Sequence, residues 1–158
     1  MQYIKNFIFN IGAYVNYNSD YSWQVFPGID VSYIINPNWQ LAASSGSSQR
    51  IPTFTDLYLN QRPGNIGNPD LKSENAWQHE INLKYQEAGF SARAGYFYRD
   101  IRNFIDWIRS SETVPYQSQN LGNNKTHGLM ANVQLHKPIA NQQSLNFQLD
   151  YTYLDPSI

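Results

Sequence analysis

The sequence predicts an all-β fold, an antiparallel up-and-down transmembrane β-barrel of which this chain forms an incomplete arc of about seven strands. Residues 76–86 alternate between mostly apolar side chains at odd positions and polar side chains at even positions, and residues 144–153 repeat the scheme. Such alternation indicates a strand with one apolar face. In the first segment the apolar row has aromatic ends, Trp77 and Tyr85, and an aliphatic middle, as bilayer-spanning strands do. A soluble sandwich or a lipocalin-like barrel alternates in the same way, so the pattern alone leaves both classes open.

Composition favours the membrane barrel. Charged and aromatic residues each make up 15% of the 158 residues, and twelve residues are tyrosines. Soluble domains carry about 25% charged residues, whereas the girdles of membrane barrels use aromatic residues. The net charge of -1 provides no basic surface for nucleic acid, which we exclude as a partner. No apolar run approaches about 18 residues, so a helical membrane protein is excluded as well.

Seven strands are predicted along the chain, each antiparallel to the next. They cover residues 3–17, 22–35, 39–50, 76–86, 90–109, 116–136 and 144–155. Single-chain bacterial barrels use even strand numbers from about eight upwards, and the chain stops just beyond a strand whose next partner would have to follow. We therefore expect residues 1–158 to be part of a larger barrel.

Short and long connections alternate between these strands, which is typical of an outer-membrane barrel. The short connections, assigned to the periplasmic side, are 36–38, 87–89 and 137–143. The loops assigned to the outside are 18–21, 51–75 and 110–115. Because the strands that flank 110–115 are longer than a bilayer needs, their outer parts are expected to project as a hairpin. The odd row of 76–86 is expected to face lipid and the even row the lumen, the even row being Gln78, Glu80, Asn82 and Lys84.

The long connection carries a motif in two halves. The first half is Arg50–Tyr58 (RIPTFTDLY) and the second is Gly67–Glu74 (GNPDLKSE). The motif resembles the loop signature of TonB-dependent outer-membrane receptors, in which Arg-x-Pro-Thr-x-x-Asp-Leu-Tyr leaves one barrel strand and Asn-Pro-Asp-Leu-Lys-x-Glu leads into the next. Similar residues of the family's later strands are found here at Glu80, Tyr96–Arg99, Ile101–Ile108, Gln119–Asn120, Thr126–Gly128 and Tyr151–Asp155. The resemblance covers about residues 20 to 158.

This resemblance implies a function and a location. The chain is expected to be the C-terminal part of the barrel of an active importer in the bacterial outer membrane, with the plug domain and the remaining strands absent. Such a receptor binds a scarce small-molecule nutrient outside and imports it with energy from the TonB complex, which acts through the plug. The Ile-Asp-Trp-Ile and Tyr-Leu-Asp stretches look most like vitamin B12 receptors, so cobalamin is the first expectation for the cargo. An iron siderophore or haem is the second, and glycans stay open.

The motif residues are expected to form a scaffold that holds the shape of the long loop. They are Arg50, Pro52, Asp56, Tyr58, Asn68, Pro69, Asp70 and Glu74. Proline fixes φ and ends ladder pairing, and Gly64 and Gly67 allow left-handed backbone beside the prolines. Asp56 and Asp70 can cap short helical or turn segments through local bonds from side chain to backbone.

Contacts to a ligand are expected from the less patterned crown of the same loop. We define the crown by Tyr58, Asn60, Gln61, Arg62 and Asn65. Exposed aromatic and amide groups in a loop can grip a large polar cargo. An ordinary solvated loop is the alternative interpretation.

Catalytic and metal sites are not expected. The histidines His79, His127 and His136 match no metal-binding spacing, and the long loop lacks the regular pattern of a calcium loop. No nucleophile, phosphate-loop or dinucleotide motif is present. We therefore expect no enzyme activity, no metal and no cofactor. The alternative from another class is a small self-contained β-barrel that acts as a surface or adhesion protein, or as a soluble ligand carrier.

Overall fold

The computed structural model describes residues 6–139 and 143–157. Within these residues the elements in chain order are β1 (Phe7–Asn18), β2 (Ser22–Ile34), β3 (Trp39–Arg50), α1 (Phe54–Tyr58), β4 (Asn60–Gln61), β5 (Asn65–Ile66), β6 (Glu74–Glu87), β7 (Phe90–Arg102), β8 (Ile105–Ile108), β9 (Tyr116–Asn120), β10 (Asn123–Pro138) and β11 (Ser144–Ser157). The described residues include no helix long and apolar enough to cross a membrane.

Seven long strands form one sheet in the order β1-β2-β3-β6-β7-β10-β11, and every neighbouring pair is antiparallel. Apart from the segments that leave the sheet, neighbours in space are neighbours in the chain, so the topology is a meander. This main sheet confirms the predicted all-β, antiparallel arc of a barrel. Residues 3–5 of the first predicted strand and 140–142 of the predicted short connection lie outside the described residues.

The register of the main sheet separates its side chains into two faces. Ile81 is paired with Ala43 on one side and with Tyr96 on the other, and the same face continues through Leu129 opposite Tyr153. We call this the apolar face. The even row of β6 lies on the opposite, polar face, because successive side chains of a strand point to opposite faces.

The apolar face has no second layer packed on it in the described chain. Ile11 is 80% exposed, and many of the other large hydrophobic side chains of this face are exposed as well. A soluble sandwich buries such a face as its core, whereas a membrane barrel presents it to lipid. The arrangement is therefore that of a membrane barrel wall.

Aromatic side chains border the apolar face at both ends. Trp39 and Tyr85 lie 4.9 Å apart between ring centroids near the tight turns, and Tyr17 and Trp23 lie 5.2 Å apart at the opposite end of the sheet, beside the connection between β1 and β2. We call these the turn end and the loop end of the main sheet. Paired aromatic rings at both borders of an aliphatic band are the girdles of an outer-membrane barrel.

The ladder between β2 and β3 is shorter than the other ladders of the main sheet. It runs from Ile34 opposite Gln40 to Gly28 opposite Gly46, which is seven pairs, whereas β3 and β6 form twelve pairs. Pro27, the next residue of β2 towards the loop end, has no backbone N–H to donate. We call the gap between the two strands beyond Gly28 the seam.

Two predicted strands are divided in the structure, which corrects the boundaries 90–109 and 116–136. Asn103 has φ 56° and Gly122 has φ 64°, and both residue types tolerate this left-handed backbone. These two residues lie at one level of the hairpin, because Phe104 N–H donates to the Gly122 carbonyl at 3.1 Å. Both strands therefore bend at the same place.

Beyond the bend the outer parts of the two strands pair as a hairpin, as predicted, but this hairpin is also joined to the long connection. β8 pairs with β9, but β9 also pairs with β5 in parallel, and β5 pairs with β4. The long connection, predicted as a loop, supplies β4 and β5 together with α1. The result is a second sheet of order β4-β5-β9-β8, which we call the outer sheet.

Candidate functional site

The end of α1 and the outer sheet carry the five residues of the predicted crown. Tyr58 ends α1, Asn60 and Gln61 form β4, Arg62 follows in the turn, and Asn65 begins β5. The first four are exposed and Asn65 is half-buried. The structure therefore places the crown on the end of α1 and on the adjoining β4–β5 hairpin, and joins it through β5 to the hairpin β8–β9, a connection that the sequence did not indicate.

A small apolar core lies where the outer sheet meets the main sheet. The buried hydrophobic residues of the described chain are Leu71, Ala76, Ile101 and Ile105. Ala76 is the register partner of Ile101, Leu71 precedes β6, and Ile105 begins β8. The buried hydrophobic residues of the described chain thus lie near the junction between the two sheets.

Arg50, the last residue of β3, connects three segments at this junction. Its Nη2 donates to Asp56 Oδ2 at 3.0 Å and its Nη1 donates to Glu74 Oε1 at 2.8 Å. The same Glu74 oxygen accepts the backbone N–H of Ile105 at 2.7 Å. Asp56 is 4% exposed and Glu74 is also buried, so the guanidinium neutralises two carboxylates that water does not reach freely. The arrangement ties α1, β6 and β8 together.

Helix α1 begins with a capping box. Thr53 is the N-cap, and its Oγ1 accepts the backbone N–H of Asp56 at 3.1 Å, while Asp56 Oδ2 accepts the backbone N–H of Thr53 at 2.9 Å. This reciprocal pair satisfies two donors that a helix N-terminus otherwise leaves free. Asp56 makes the expected local bond from the third helical position, because Thr53 occupies the cap itself.

The side chain of Asp70 is expected to cap a turn, but in the structure Asn68 has this role. The backbone N–H of Asp70 donates to Asn68 Oδ1 at 3.0 Å, so Asn68 forms the turn. The Asp70 carboxylate is exposed and makes no hydrogen bond to the described residues. The scaffold role of the motif residues as a set stays a prediction.

Two residues of β9 that sequence reasoning did not assign to the site fasten the hairpin to the long connection. Ser118 is fully buried, and its Oγ donates to the Asp56 carbonyl at 2.5 Å. Asn120 Oδ1 accepts the backbone N–H of Lys72 at 2.9 Å, and its Nδ2 donates to the carbonyls of Lys72 and Asn103 at 2.9 and 2.8 Å. In the sequence Asn120 alone carries a signal, through the family-like Gln119–Asn120 pair, and Ser118 carries none.

Gly67 is required by close packing, which corrects the expectation that Gly64 and Gly67 adopt left-handed backbone. The left-handed glycines of the described chain are Gly89 and Gly122. A Cβ atom at Gly67 would lie 2.6 Å from the carbonyl carbon and oxygen of Leu57. Since these are backbone atoms of α1, the helix and β5 can approach this closely only at a glycine.

Replacing Gly67 by alanine is expected to push α1 away from β5 and to destabilise the outer sheet by about 1 to 3 kcal/mol, the usual cost of overpacking. Hydrogen exchange of the peptide that contains Asn68, whose N–H donates to the Asp56 carbonyl at 2.9 Å, measures the effect in the full-length receptor. Gly12→Ala is the matched control, because a Cβ there meets nothing within 4 Å. Equal protection in both variants would show that the close approach is not needed.

The polar face of the main sheet is internally hydrogen-bonded. Arg93 Nη2 lies 3.0 Å from Glu80 Oε1, and Arg93 Nε donates to Asn82 Oδ1 at 3.0 Å. Asn132 Nδ2 donates to Asp150 Oδ1 at 2.6 Å on the neighbouring strands. A polar wall of this kind is typical of the interior of a membrane barrel.

The three histidines lie on the main sheet, with His79 and His127 on either side of Tyr98 and His136 on the opposite face. His79 stacks near Tyr98 on the apolar face, His127 contacts Tyr98 on the same face, and His136 hydrogen-bonds Asn146 on the polar face. Among residues 6–139 and 143–157 no group of three or more His, Cys, Asp or Glu side chains is arranged to hold a metal ion.

An exposed apolar face between aromatic girdles, a hydrogen-bonded polar face and a folded structure on the connections of one end define an outer-membrane β-barrel protein. The sequence model described as "TonB dependent receptor-like, beta-barrel" matches residues 1–158. The chain therefore belongs to the TonB-dependent receptor β-barrel family, and it is an outer-membrane protein. This confirms the family to which the loop motif pointed.

Among curated proteins, the vitamin B12 transporter BtuB of Vibrio vulnificus (strain YJ016) is 27% identical over 108 residues. The match covers 68% of this chain and 16% of that protein, so the chain spans about a sixth of the length of this relative. The B12 branch of the family is thus favoured weakly.

Solved structures show the same fold. The siderophore receptor PirA from Pseudomonas aeruginosa superimposes with a TM-score of 0.78 at 18% identity, covering 98% of this chain and 30% of that one. A mutant of the ferric enterobactin receptor PfeA from the same species, in complex with enterobactin, gives a TM-score of 0.73 at 19% identity, covering 94% of this chain and 25% of that one.

Proposed function

We propose that this chain is the C-terminal part of the barrel of a receptor that binds a scarce nutrient at the outer surface and imports it with energy from the TonB complex. The plug domain and the remaining strands are proposed to belong to the rest of the receptor. The small share of each relative that the chain spans, 16% of the curated one and 30% of the first solved one, supports this division.

The observation that carries the proposal is the outer sheet. Two connections far apart in the sequence are joined by the parallel pairing of β5 with β9 and fastened to the barrel wall by Arg50 and Asn120. Strand pairing and hydrogen bonds of this kind hold the segments in place, and binding groups that are held in place lose little conformational entropy when a ligand binds. We propose that the crown residues contact the nutrient.

A corrinoid is the first candidate for the nutrient, and an iron siderophore or haem is the second. The relative named a vitamin B12 transporter supports the first candidate. The structural neighbours named as siderophore and ferric enterobactin receptors support the second at the level of the fold.

Uptake by cells that carry the full-length receptor as their only importer of its class tests the proposal. We expect radiolabelled cobalamin to accumulate, and the accumulation to stop when TonB is deleted or the proton gradient is collapsed. A triple alanine variant of Tyr58, Gln61 and Arg62 should raise the concentration needed for half-maximal uptake, because these crown side chains are exposed. Normal uptake of an iron siderophore without uptake of cobalamin would end the corrinoid proposal, and uptake of neither in the presence of TonB would end the import proposal for these cargoes.

A further inference from the structure

Arg109 is held over an aromatic ring at the surface of the outer sheet. Its guanidinium carbon lies 4.8 Å from the centroid of the Tyr116 ring, and both residues are exposed. A cation over an aromatic face is attracted by the ring, and the planar guanidinium keeps its N–H donors at its edge free for other partners. The stacking therefore orients the charged group before any ligand arrives.

The charge of Arg109 is not neutralised within the described chain. The salt bridges of the described residues involve Arg50, Arg93 and Arg102. Asp106, on the same hairpin, accepts the backbone N–H of Trp107 at 2.7 Å. Because arginine is charged at all accessible pH values, the exposed guanidinium offers an anion a site that no described carboxylate occupies.

The stacked pair adjoins the predicted crown. The backbone N–H of Tyr116 donates to the Gly64 carbonyl at 2.8 Å, and Tyr116 is the register partner of Asn65 in the parallel pair of β5 and β9. Arg62, two residues before Gly64, is a second exposed arginine without a salt bridge to the described residues. The crown and the hairpin thus adjoin each other, and each carries an exposed arginine that makes no salt bridge to the described residues.

The geometry points to Arg109, oriented by Tyr116, as a residue that binds an oxyanion of the nutrient. An arginine fork can donate two parallel hydrogen bonds to a phosphate or carboxylate, which gives both strength and orientation. This inference rests on the proposed function, since it names the chemistry by which the same outer surface recognises its nutrient. It adds Arg109 and Tyr116 to the crown and selects a ligand that carries a negative oxygen group.

The oxyanion is either the phosphodiester of a corrinoid or the catecholate oxygens of a siderophore. Matched pairs of probes, with and without the anionic group, distinguish these two sources. Cyanocobalamin carries a phosphodiester that dicyanocobinamide lacks. A ferric tris-catecholate is an anion, whereas a ferric tris-hydroxamate of similar size is neutral. Binding of all four probes to the purified full-length receptor is measured by titration at low and at high salt. We expect the anion-bearing member of one pair to bind more tightly than its partner, and the difference to shrink at high salt.

Variants of the stacked pair identify the residue responsible. Arg109→Gln is expected to lower the affinity for the anion-bearing probe at least about tenfold, because a hydrogen bond to a charged group usually contributes that much to binding. The affinity for the matched neutral probe should not change. Tyr116→Phe retains the ring and should bind the anion-bearing probe as tightly as the parent receptor does. Tyr116→Leu removes the ring and should lower the affinity for the same probe several-fold. Arg102→Gln is the control for loss of a guanidinium, because Arg102 lies in β7 beside Asp100 and outside the outer sheet.

The results separate this inference from the import proposal. Three results overturn the oxyanion assignment. Arg109→Gln lowers the affinity for both members of a pair equally, Arg109→Gln changes neither affinity, or neither anion-bearing probe binds. Unchanged uptake kinetics in the Arg109→Gln receptor also overturn it and leave import intact. The purified receptor can bind an anion-bearing probe in a way that depends on Arg109 while cells that carry the receptor import neither cargo. That result supports the assignment and ends only the import proposal.

Discussion

Replacing Arg50 by alanine is expected to free the outer sheet while the main sheet stays folded. The change leaves the Asp56 and Glu74 carboxylates buried without the cation that bonds both of them. Removing one partner of a buried ion pair costs about 3 to 5 kcal/mol. Because the Arg50 side chain is 44% exposed, we expect a smaller cost of about 2 to 3 kcal/mol after allowing for solvent screening.

Hydrogen exchange of the full-length receptor measures this loss locally. Peptides that cover 52–73 and 103–121 should exchange roughly 30- to 140-fold faster in Arg50→Ala, which is the same free energy expressed as an opening constant. Peptides of β6 and β7 below the junction should not change. In Arg50→Lys the exchange rate of the same outer-sheet peptides should lie between the rates of the parent receptor and of Arg50→Ala, because an ammonium group cannot form the fork that reaches both carboxylates.

Arg102→Ala is the matched control for Arg50→Ala. Arg102 Nε lies 4.0 Å from Asp100 Oδ2, and its side chain is 69% exposed. A surface pair of this kind contributes at most about 1 kcal/mol. If the two alanine variants exchanged at the same rate in the outer sheet, Arg50 would not be the residue that holds it.

Replacing Ile81 by arginine is expected to destabilise the barrel in the membrane by about 2 to 4 kcal/mol, the cost of an arginine at the bilayer midplane on the lipid side of a barrel. Ile81 is exposed on the apolar face and lies midway between Trp77 and Tyr85 of the two girdles. The amount of heat-resistant receptor in outer membranes, and the temperature at which its compact gel mobility is lost, should both decrease.

Gln134→Arg provides the control for Ile81→Arg, because Gln134 is exposed on the polar face. A new arginine there faces water and should leave the melting temperature nearly unchanged. Normal assembly and heat resistance of the Ile81→Arg receptor would reverse the assignment of the two faces.

The main sheet could be predicted from the sequence because its signal is local. Alternation along 76–86 and 144–153 identifies a strand face without knowledge of its partners, and tight connections such as Glu87-Ala88-Gly89 place consecutive strands side by side. The meander and its two faces, predicted on this basis, were confirmed, and so was the family, which the loop motif indicated. The crown could be located because the motif halves on either side of it resemble those of a known family.

The outer sheet could not be predicted because its determinants are not local. β5 and β9 pair in parallel although Asn65 and Tyr116 lie about fifty residues apart, and each strand is too short to show alternation. The bend depends on Asn103 and Gly122, which an otherwise strand-like sequence conceals. From sequence alone, Ser118 and Asn120 cannot be distinguished from other polar strand residues. Only the folded position of the long connection shows that they hydrogen-bond its backbone.

The seam gives the arc a weakest line along which its hairpins can part. The β1–β2 hairpin is bound to β3 by seven register pairs but is itself held by twelve, so we expect a denaturant to open the pairs between β2 and β3 before those within the hairpin. Towards the loop end, the buried Gln24 Nε2, Ser47 Oγ and Gln49 Oε1 have no hydrogen-bond partner among the described residues, and contact with water would satisfy them if this line opened. The wall therefore has one line with fewer register pairs, and opening it leaves the outer sheet and Arg50 in place, because both lie on the β3 side of the seam.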